Sequence, residues 1–271
     1  MRANTVRSMW ASGQCVVNGW LSIPDSFAAE VMAHCGWDSL TVDCQHGIVD
    51  YQAMVRMFQG ISTTAVTPMA RVPWNDPAHV MKALDAGAYG IICPMINTRE
   101  EAEKFVGACR YAPRGYRSSG PIRATLYAGA DYHAKADDEI LAIAMIETKE
   151  AVKNLDRILS TPGLDGVYIG PSDLSISYGM SPGMDHTDDK RLALIIKIIE
   201  ACKKHGIAAG IHTGSTAYAK RMREAGCKLV TMMNDSRILT NAAKAIVEEM
   251  KAPADGAPAK PAPKSKTKSV Y

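Results

Sequence analysis

Short apolar runs alternate with amphipathic segments along the first 250 residues. Eight runs have the length and composition of buried strands, at residues 16–22, 39–43, 65–71, 90–94, 141–147, 166–170, 207–211 and 228–232. Helix-like segments follow at residues 26–35, 51–60, 77–86, 99–109, 150–159, 188–205, 216–225 and 236–250. Glycines at 87, 206 and 226 close three of them, as expected at helix C-termini. The pattern is therefore eight repeats of a strand and a helix.

This alternation predicts a parallel sheet, because each helix must carry the chain back to the same end of the sheet. Eight repeats favour closure into a (β/α)8 TIM barrel, an α/β fold that typically needs ~250 residues. A doubly wound open sheet is the alternative. It would usually show a Gly-x-Gly-x-x-Gly turn after the first strand, and the sequence lacks one.

Two segments fall outside the repeat. Residues 111–138 form a long connection rich in Arg and Gly, and a loop of this length is usually functional or part of an interface. Residues 252–271 are rich in Pro, Ala and Lys and have too few apolar side chains to fold alone. We therefore expect a barrel domain at residues 1–251 and a flexible tail at residues 252–271.

Composition and charge narrow the class of protein. The chain has 271 residues, of which 47% are hydrophobic and 22% charged, as in ordinary globular proteins. Its formal charge of +3 comes from the lysine-rich tail, so no basic face suggests a nucleic-acid partner. Seven scattered cysteines without a Cys-x-x-Cys pair are typical of reduced thiols. With no apolar leader and no run of 18 apolar residues, we expect a cytoplasmic protein that does not enter membranes.

Polar residues follow the apolar runs at the strand ends. In chain order they are Trp20, Asp43, His46, Arg71, Pro94, Glu147, Asp173, His212 and Asn234. In a barrel the carboxyl ends of the strands form the active site. Glu147 and Asp173 could each simply cap the next helix. As two carboxylates at one end of one barrel, they could instead share a hard divalent cation.

The same region resembles a known family. The matching segments are Asp43-Cys-Gln-His46-Gly, Ala-Arg71-Val-Pro-Trp-Asn-Asp-Pro77, Leu-Asp85-Ala-Gly-Ala, Cys-Pro94-Met, Arg110-Tyr-Ala-Pro-Arg-Gly-Tyr-Arg117, Ile-Glu147-Thr and Ile-Gly170-Pro-Ser-Asp173-Leu-Ser. In this order they resemble the HpcH/HpaI aldolases, metal-dependent class II pyruvate aldolases of the phosphoenolpyruvate/pyruvate barrel superfamily. The resemblance covers residues 20–247. It implies a homohexamer built as a trimer of dimers, often with the last helix exchanged between subunits.

Roles for these residues follow from the chemistry of a 2-oxo acid. Glu147 and Asp173 would hold Mg²⁺, Mn²⁺ or Co²⁺, to which the keto and carboxylate oxygens of the substrate bind. The segment Gly170, Pro171, Ser172 and Asp173 would receive the substrate carboxylate on its backbone N–H groups, which Pro171 alone lacks, with Trp20 beside it. Arg71 would stabilise an enolate oxyanion, and His46 would carry the proton of the 4-hydroxyl group. Either Asp43 or Asp85 could orient His46.

Three positions depart from the pattern or leave their role open. Gln45 stands where the family commonly has Glu, which removes one negative charge near the metal. His212 ends the seventh strand, where relatives more often carry an apolar residue, and could contact the aldehyde or bond a backbone carbonyl. Arg123, in the long connection, could reach a neighbouring subunit's site or lie in solvent or an interface.

The leading hypothesis is a lyase that reversibly cleaves 4-hydroxy-2-oxo acids to pyruvate, or a related 2-oxo acid, and an aldehyde through a metal-bound enolate. No lysine stands at the strand ends for a Schiff base, which argues against a class I aldolase. The alternatives are an oxaloacetate decarboxylase or CoA-thioester lyase using the same site, and a non-catalytic scaffold that binds through its tail. The aldehyde, the physiological metal and the stereochemistry stay open.

Overall fold

The computed structural model describes residues 1–252. The strands are β1 (Val16–Leu21), β2 (Ser39–Asp43), β3 (Thr67–Arg71), β4 (Gly90–Cys93), β5 (Leu141–Ile146), β6 (Gly166–Ile169), β7 (Ala208–Thr213) and β8 (Leu229–Met232). The helices are α1 (Thr5–Ala11), α2 (Ser26–Ala33), α3 (Tyr51–Ile61), α4 (Pro77–Asp85), α5 (Arg99–Cys109), α6 (Ile122–Ala128), α7 (Tyr132–Glu139), α8 (Lys149–Lys153), α9 (Leu155–Leu159), α10 (Pro171–Ser177), α11 (Asp189–His205), α12 (Thr216–Ala225) and α13 (Asp235–Lys251).

The eight strands form a closed parallel barrel in sequence order, with β8 pairing back onto β1. The (β/α)8 prediction is therefore confirmed. Register within the barrel already places site residues together, because Asp43 on β2 lies opposite Arg71 on β3. The barrel is a unit of Met1–Ser236, and the described residues from Arg237 to Ala252, most of them in α13, belong to a second unit. The predicted tail lies outside the described residues apart from Ala252.

Local sequence signals explain where the helices begin and end. Asp25, Asp50 and Asp76 each accept a backbone hydrogen bond at the start of a helix, which satisfies an otherwise unpaired N–H group. At α5, Thr98 and Glu101 form a reciprocal capping box. At the other end of α11, Gly206 adopts a left-handed conformation with φ 69°.

The structure differs from the predicted elements in four places, one of which is the unpredicted helix α10 after β6. A short helix, α1, precedes the first strand, and its Val6 is fully buried in the interior cluster that includes Leu141 and Leu229. The long connection contains α6 and α7. The single helix predicted at residues 150–159 is two short helices that meet at Asn154. Each of these helices has only five to eight residues, too few for apolar periodicity to be recognised.

Two further observations concern membrane-spanning helices and the state of the cysteines. Within residues 1–252, no helix combines the length and apolarity required to span a bilayer. All seven cysteines are free thiols. Burial raises the pKa of the Cys44, Cys109 and Cys202 thiols to about 12, so these side chains are neutral packing groups rather than reactive thiolates.

Candidate active site

A cavity of ≈ 580 Å³ lies at the carboxyl ends of the barrel strands. The structure brings ten of the twelve predicted site residues to its wall: Trp20, Asp43, His46, Arg71, Glu147, Gly170, Pro171, Ser172, Asp173 and His212. They come from β1, β2, β3, β5, β6 and β7 or from the loops that follow these strands. Residues up to 192 positions apart in sequence therefore meet at one end of the barrel, as expected for this fold.

Asp43 and Arg71 form a two-point ion pair on the cavity wall. Arg71 Nε donates to Oδ1 at 2.8 Å, and Arg71 Nη2 donates to Oδ2 at 2.6 Å. Trp20 Nε1 also donates to Oδ2, at 3.1 Å, and the guanidinium lies 4.9 Å from the Trp20 ring. Burial disfavours the charge of Asp43, but the hydrogen bonds and charge of Arg71 outweigh burial and lower the pKa of this carboxyl. Arg71 is thus held in one orientation.

His46 lies at the exposed side of the cavity, in a tight turn after β2. Asp43 Oδ1 accepts the backbone N–H groups of Gln45 at 3.1 Å and of His46 at 3.2 Å. A Cβ atom at Gly47 would come 2.2 Å from the carbonyl oxygen of Asp43, so this turn requires glycine. Asp43 therefore positions His46 through the main chain, and its carboxylate is bonded to Arg71 rather than to the imidazole.

Glu147 is almost completely buried at the end of β5. Its Oε1 accepts the backbone N–H of Met95 at 2.8 Å, and Met95 adopts a left-handed φ of 56° to place that N–H. Burial raises the pKa of Glu147 to about 7, and the negative charge of Asp173 adds to the shift. A Cβ atom at Gly170 would come 2.6 Å from Glu147 Oε2, so glycine keeps the space beside this oxygen open.

Asp173 belongs to the first turn of α10, which begins at Pro171. The N-cap residue of this helix is Gly170, and no side chain caps its N–H groups. Asp173 is exposed to the cavity, whereas Glu147 is buried below it. The β6–α10 segment thus presents a carboxylate and uncapped backbone N–H groups to the same space.

His212, Tyr168 and Trp20 form an aromatic group in the cavity wall. Tyr168 hydroxyl and His212 Nδ1 are 3.0 Å apart and share a hydrogen bond. The ring of Trp20 stacks on Tyr168 with 5.5 Å between centroids, and the ring of His212 meets Trp20 edge-on at 5.1 Å. His212 thus lies in the cavity wall with Nδ1 bonded to the Tyr168 side chain, and its role towards a substrate stays a prediction.

Asp85 and Arg123 do not reach the cavity of their own chain. Asp85 accepts a hydrogen bond from Arg117 at 2.8 Å, and Arg123 donates to the carbonyl of Ala86 and to Ser62 Oγ. Asp85 and Ala86 stand at the C-terminal end of α4. In a (β/α)8 barrel this end of a helix lies near the amino ends of the strands, opposite the active site. Within one chain, Asp85 therefore lies away from His46, and a role for Asp85 beside His46 stays a prediction.

Several cavity residues were missed by the sequence analysis. Met145 and Tyr168 line the cavity two residues before Glu147 and Gly170, so the two-residue period of a strand could have revealed them. Ser22 follows β1 and Ser236 lies at the start of α13. Neither residue directly ends an apolar run, so a search of the strand ends does not select it. Met184 comes from the loop between α10 and α11, and no signal in the sequence places it there.

Comparison with known proteins agrees with this geometry. Residues 19–242 match the model of the HpcH/HpaI aldolase/citrate lyase family. The chain belongs to this family. It is 39% identical to a hydroxypyruvate/pyruvate aldolase of Rhizorhabdus wittichii over 92% of this chain and 99% of that protein. It is 34% identical to a 4-hydroxy-2-oxo-heptane-1,7-dioate aldolase of Escherichia coli over 90% of this chain and 93% of that protein.

A solved structure shows that the similarity extends to the whole fold. A HpcH/HpaI aldolase/citrate lyase family protein from Burkholderia cenocepacia superimposes with a TM-score of 0.86 at 30% identity. The match covers 92% of this chain and 100% of the other. Residues 19–242 include every cavity residue described above, so the family match spans the complete candidate site.

Proposed function

We propose that the protein is a divalent-metal-dependent aldolase that reversibly cleaves 4-hydroxy-2-oxo acids to pyruvate, or a related 2-oxo acid, and an aldehyde. The observation that carries this proposal is the arrangement of Glu147 and Asp173 in one cavity with Arg71 and His46. The names of the relatives from Rhizorhabdus wittichii and Escherichia coli support the same reaction class.

The carboxylates fit a hard divalent cation. Glu147 and Asp173 are close enough for each negative charge to disfavour the other, and a cation between them would relieve this repulsion. Within residues 1–252, no three His, Cys, Asp or Glu side chains are grouped as metal ligands, so substrate and water would complete the coordination. A bound Mg²⁺, Mn²⁺ or Co²⁺ would polarise the keto group of a 2-oxo acid and so make the adjacent C–H acidic.

Arg71 and His46 supply the remaining chemistry. Arg71 is fixed by Asp43 and presents a permanent positive charge to the oxygen on which negative charge develops. In cleavage, an imidazole nitrogen of His46 accepts the proton of the 4-hydroxyl group while the C3–C4 bond breaks. The aldehyde leaves, and a proton returns to C3 to give pyruvate. In synthesis C3 loses a proton, C3 bonds to the aldehyde carbon, and the aldehyde oxygen gains a proton.

We also propose that the protein assembles as a hexamer, a trimer of dimers, in the cytoplasm. Four large apolar side chains of α13 are exposed, namely Leu239, Ile246, Val247 and Met250. Leu239, Ile246 and Met250 recur with helical spacing and form one stripe, which would be covered if α13 were exchanged between subunits. Free cysteines throughout the barrel support a reducing location. Sedimentation analysis of the intact chain tests the assembly.

The function is tested by measuring pyruvate release from a panel of 4-hydroxy-2-oxo acids, in EDTA and after adding back Mg²⁺, Mn²⁺ or Co²⁺. We expect turnover only with added metal, and loss of turnover in Glu147→Ala and Asp173→Ala. Glu150→Ala is the matched control, because Glu150 is an exposed carboxylate three residues after Glu147. Full activity with unchanged metal dependence in either site variant would show the assignment to be wrong.

A further inference from the structure

The side of the cavity across from Glu147 carries three uncharged polar side chains beside apolar ones. In a closed ring of eight strands, β1 stands four places from β5 and therefore directly across from it. Ser22 follows β1, and Asn234 and Ser236 follow the neighbouring β8; all three line the cavity. We call Ser22, Asn234 and Ser236 the β8–β1 wall. A substrate held by its 2-oxo acid end at Glu147, directly after β5, would extend its other end towards this wall.

The β8–β1 wall is a connected network of hydrogen bonds. Asn234 Nδ2 donates to Ser22 Oγ at 3.2 Å, and Ser236 Oγ donates to Asn234 Oδ1 at 3.1 Å. Below them, the buried carboxylate of Asp235 accepts the backbone N–H groups of Ser22 at 2.9 Å and Ile23 at 3.1 Å. Asp235 thus fixes the loop after β1 to the end of β8, so the wall has a defined shape before any ligand binds.

The two hydroxyl groups of this wall have complementary capacity for a ligand. The oxygen of Ser22 accepts from Asn234, so its O–H remains available as a donor. The hydroxyl of Ser236 donates to Asn234, so its oxygen remains available as an acceptor. A hydroxyl group on a ligand both donates and accepts, and it can therefore match either serine.

The charges of the cavity point the same way. Among the described residues that line it, Arg71 is the one lysine or arginine, and its Nε and Nη2 groups already bond Asp43. A carboxylate at the far end of the substrate would therefore meet Ser22, Asn234 and Ser236 but no partner cation from the same chain. Desolvating an unpaired carboxylate is costly, so such an aldehyde would bind weakly.

Resting on the proposed function, we propose that the aldehyde partner is a short, uncharged aldehyde that carries hydroxyl groups. Apolar side chains also line the cavity at Ile23, Pro24, Ile48 and Met184, and they give any aldehyde carbon chain some contact. They do not distinguish a hydroxylated chain from an alkyl chain. The β8–β1 wall distinguishes them. Its hydrogen-bonding groups lose their bonds to water when a substrate fills the cavity, and an alkyl chain offers no hydrogen bonds in exchange.

The experiment uses the full-length protein with Mg²⁺ or Mn²⁺ and pyruvate as the common donor. Deuterium exchange at C3 of pyruvate in D₂O, without aldehyde, reports the proposed function alone. Aldol synthesis is then measured with matched acceptors: glycolaldehyde against acetaldehyde, glyceraldehyde against propanal, and succinic semialdehyde against butanal. We expect kcat/KM to favour each hydroxylated aldehyde over its partner by about tenfold or more, and succinic semialdehyde to be no better than butanal.

Variants separate recognition by the wall from the intrinsic reactivity of hydroxyaldehydes. In Ser22→Ala/Ser236→Ala the preference ratio should fall about fivefold or more, since two hydrogen bonds are lost while the aldehydes are the same. Ser160→Ala is the control, because Ser160 is exposed on the barrel exterior after α9 and should leave the ratio unchanged.

The outcomes distinguish failure of the inference from failure of the proposed function. C3 exchange with an unchanged ratio in the double variant, or with succinic semialdehyde as the preferred acceptor, would overturn this inference and leave the proposed function standing. Lack of C3 exchange in the wild-type protein would contradict the proposed function, and the inference with it. If the double variant still exchanges C3 and its preference ratio falls, the inference is supported, because the change cannot be attributed to unfolding.

Discussion

Arg71 and Asp43 meet edge to edge, with two parallel hydrogen bonds of 2.8 and 2.6 Å between the guanidinium and the carboxylate. The pair bridges adjacent residues on β2 and β3 and lies against Trp20. Both charges are largely removed from solvent, since the exposed fractions of the two side chains are 11% and 3%. Such a pair holds Arg71 in one orientation, and neither partner can be removed without leaving the other charge unpaired.

Asp43→Asn should therefore lower both activity and stability. An amide can accept only one of the two guanidinium bonds, so Arg71 loses its fixed orientation while its charge stays buried. We expect kcat for aldol cleavage to fall by about 10²-fold and the free energy of unfolding by about 3 kcal/mol. Steady-state kinetics and urea denaturation measure the two effects.

Asp165→Asn is the matched control for this prediction. Asp165 bonds Arg7 and Arg110 just before β6, at the end of the barrel away from the cavity. The control should lose stability but keep kcat. If both variants lose kcat in proportion to their stability, the ion pair of Asp43 has no specific part in catalysis.

His46→Ala should separate two reactions of the same site. Aldol cleavage requires a base for the 4-hydroxyl proton, and loss of a general base typically costs about 10²–10⁴-fold in rate. Decarboxylation of oxaloacetate breaks a C–C bond without that proton transfer. We expect the variant to retain oxaloacetate decarboxylation while pyruvate release from 4-hydroxy-2-oxo acids is lost. A parallel loss of both activities would assign His46 to substrate binding instead.

Without metal, Glu147 should make stability depend on pH. Its pKa is about 7 in the folded protein, against an ordinary value of 4.5. A raised folded pKa means that stability is fully present below pH 4.5 and is lost as pH rises through about 7. The shift corresponds to about 3 kcal/mol. Urea denaturation in EDTA from pH 5 to pH 8 should show this fall in the wild-type protein and a flatter curve in Glu147→Gln; parallel curves would contradict it.

Arg123→Met should affect stability and not catalysis. In its own chain Arg123 bonds the carbonyl of Ala86 and the hydroxyl of Ser62. Loss of these bonds should lower the free energy of unfolding by about 1–3 kcal/mol and leave kcat/KM unchanged. Arg114→Met is the control, because Arg114 is a half-exposed partner of Asp138 and should change stability by less than about 1 kcal/mol. A fall in kcat/KM at unchanged stability would instead place Arg123 in a neighbouring subunit's site.

The strand-end rule predicted most of the site because parallel strands align all their carboxyl ends. Glu147, Asp173, Arg71 and His46 could be grouped on this basis, although up to 127 residues separate them. The same rule does not cover Asp85, which was predicted from a motif and stands at a helix end rather than a strand end.

Other features could not be read from the sequence. The bond between Tyr168 and His212 depends on the relative position of β6 and β7, and the network of Ser22, Asn234 and Ser236 depends on closure of β8 onto β1. Met95 gives no sign in the sequence that its N–H bonds Glu147. These contacts join residues that are distant in the chain, and the local sequence around one partner says nothing about the other.

By itself, the sequence determined the order of strands and helices, the (β/α)8 class and the family, because apolar periodicity, capping residues and motifs are local properties of the chain. Only the tertiary structure decided that Asp43 serves Arg71 rather than the ring of His46, that burial brings the pKa of Glu147 to about 7, and that the uncharged β8–β1 wall lies across the cavity from Glu147. Those properties arise from distances and burial between segments, which exist only once the barrel has closed.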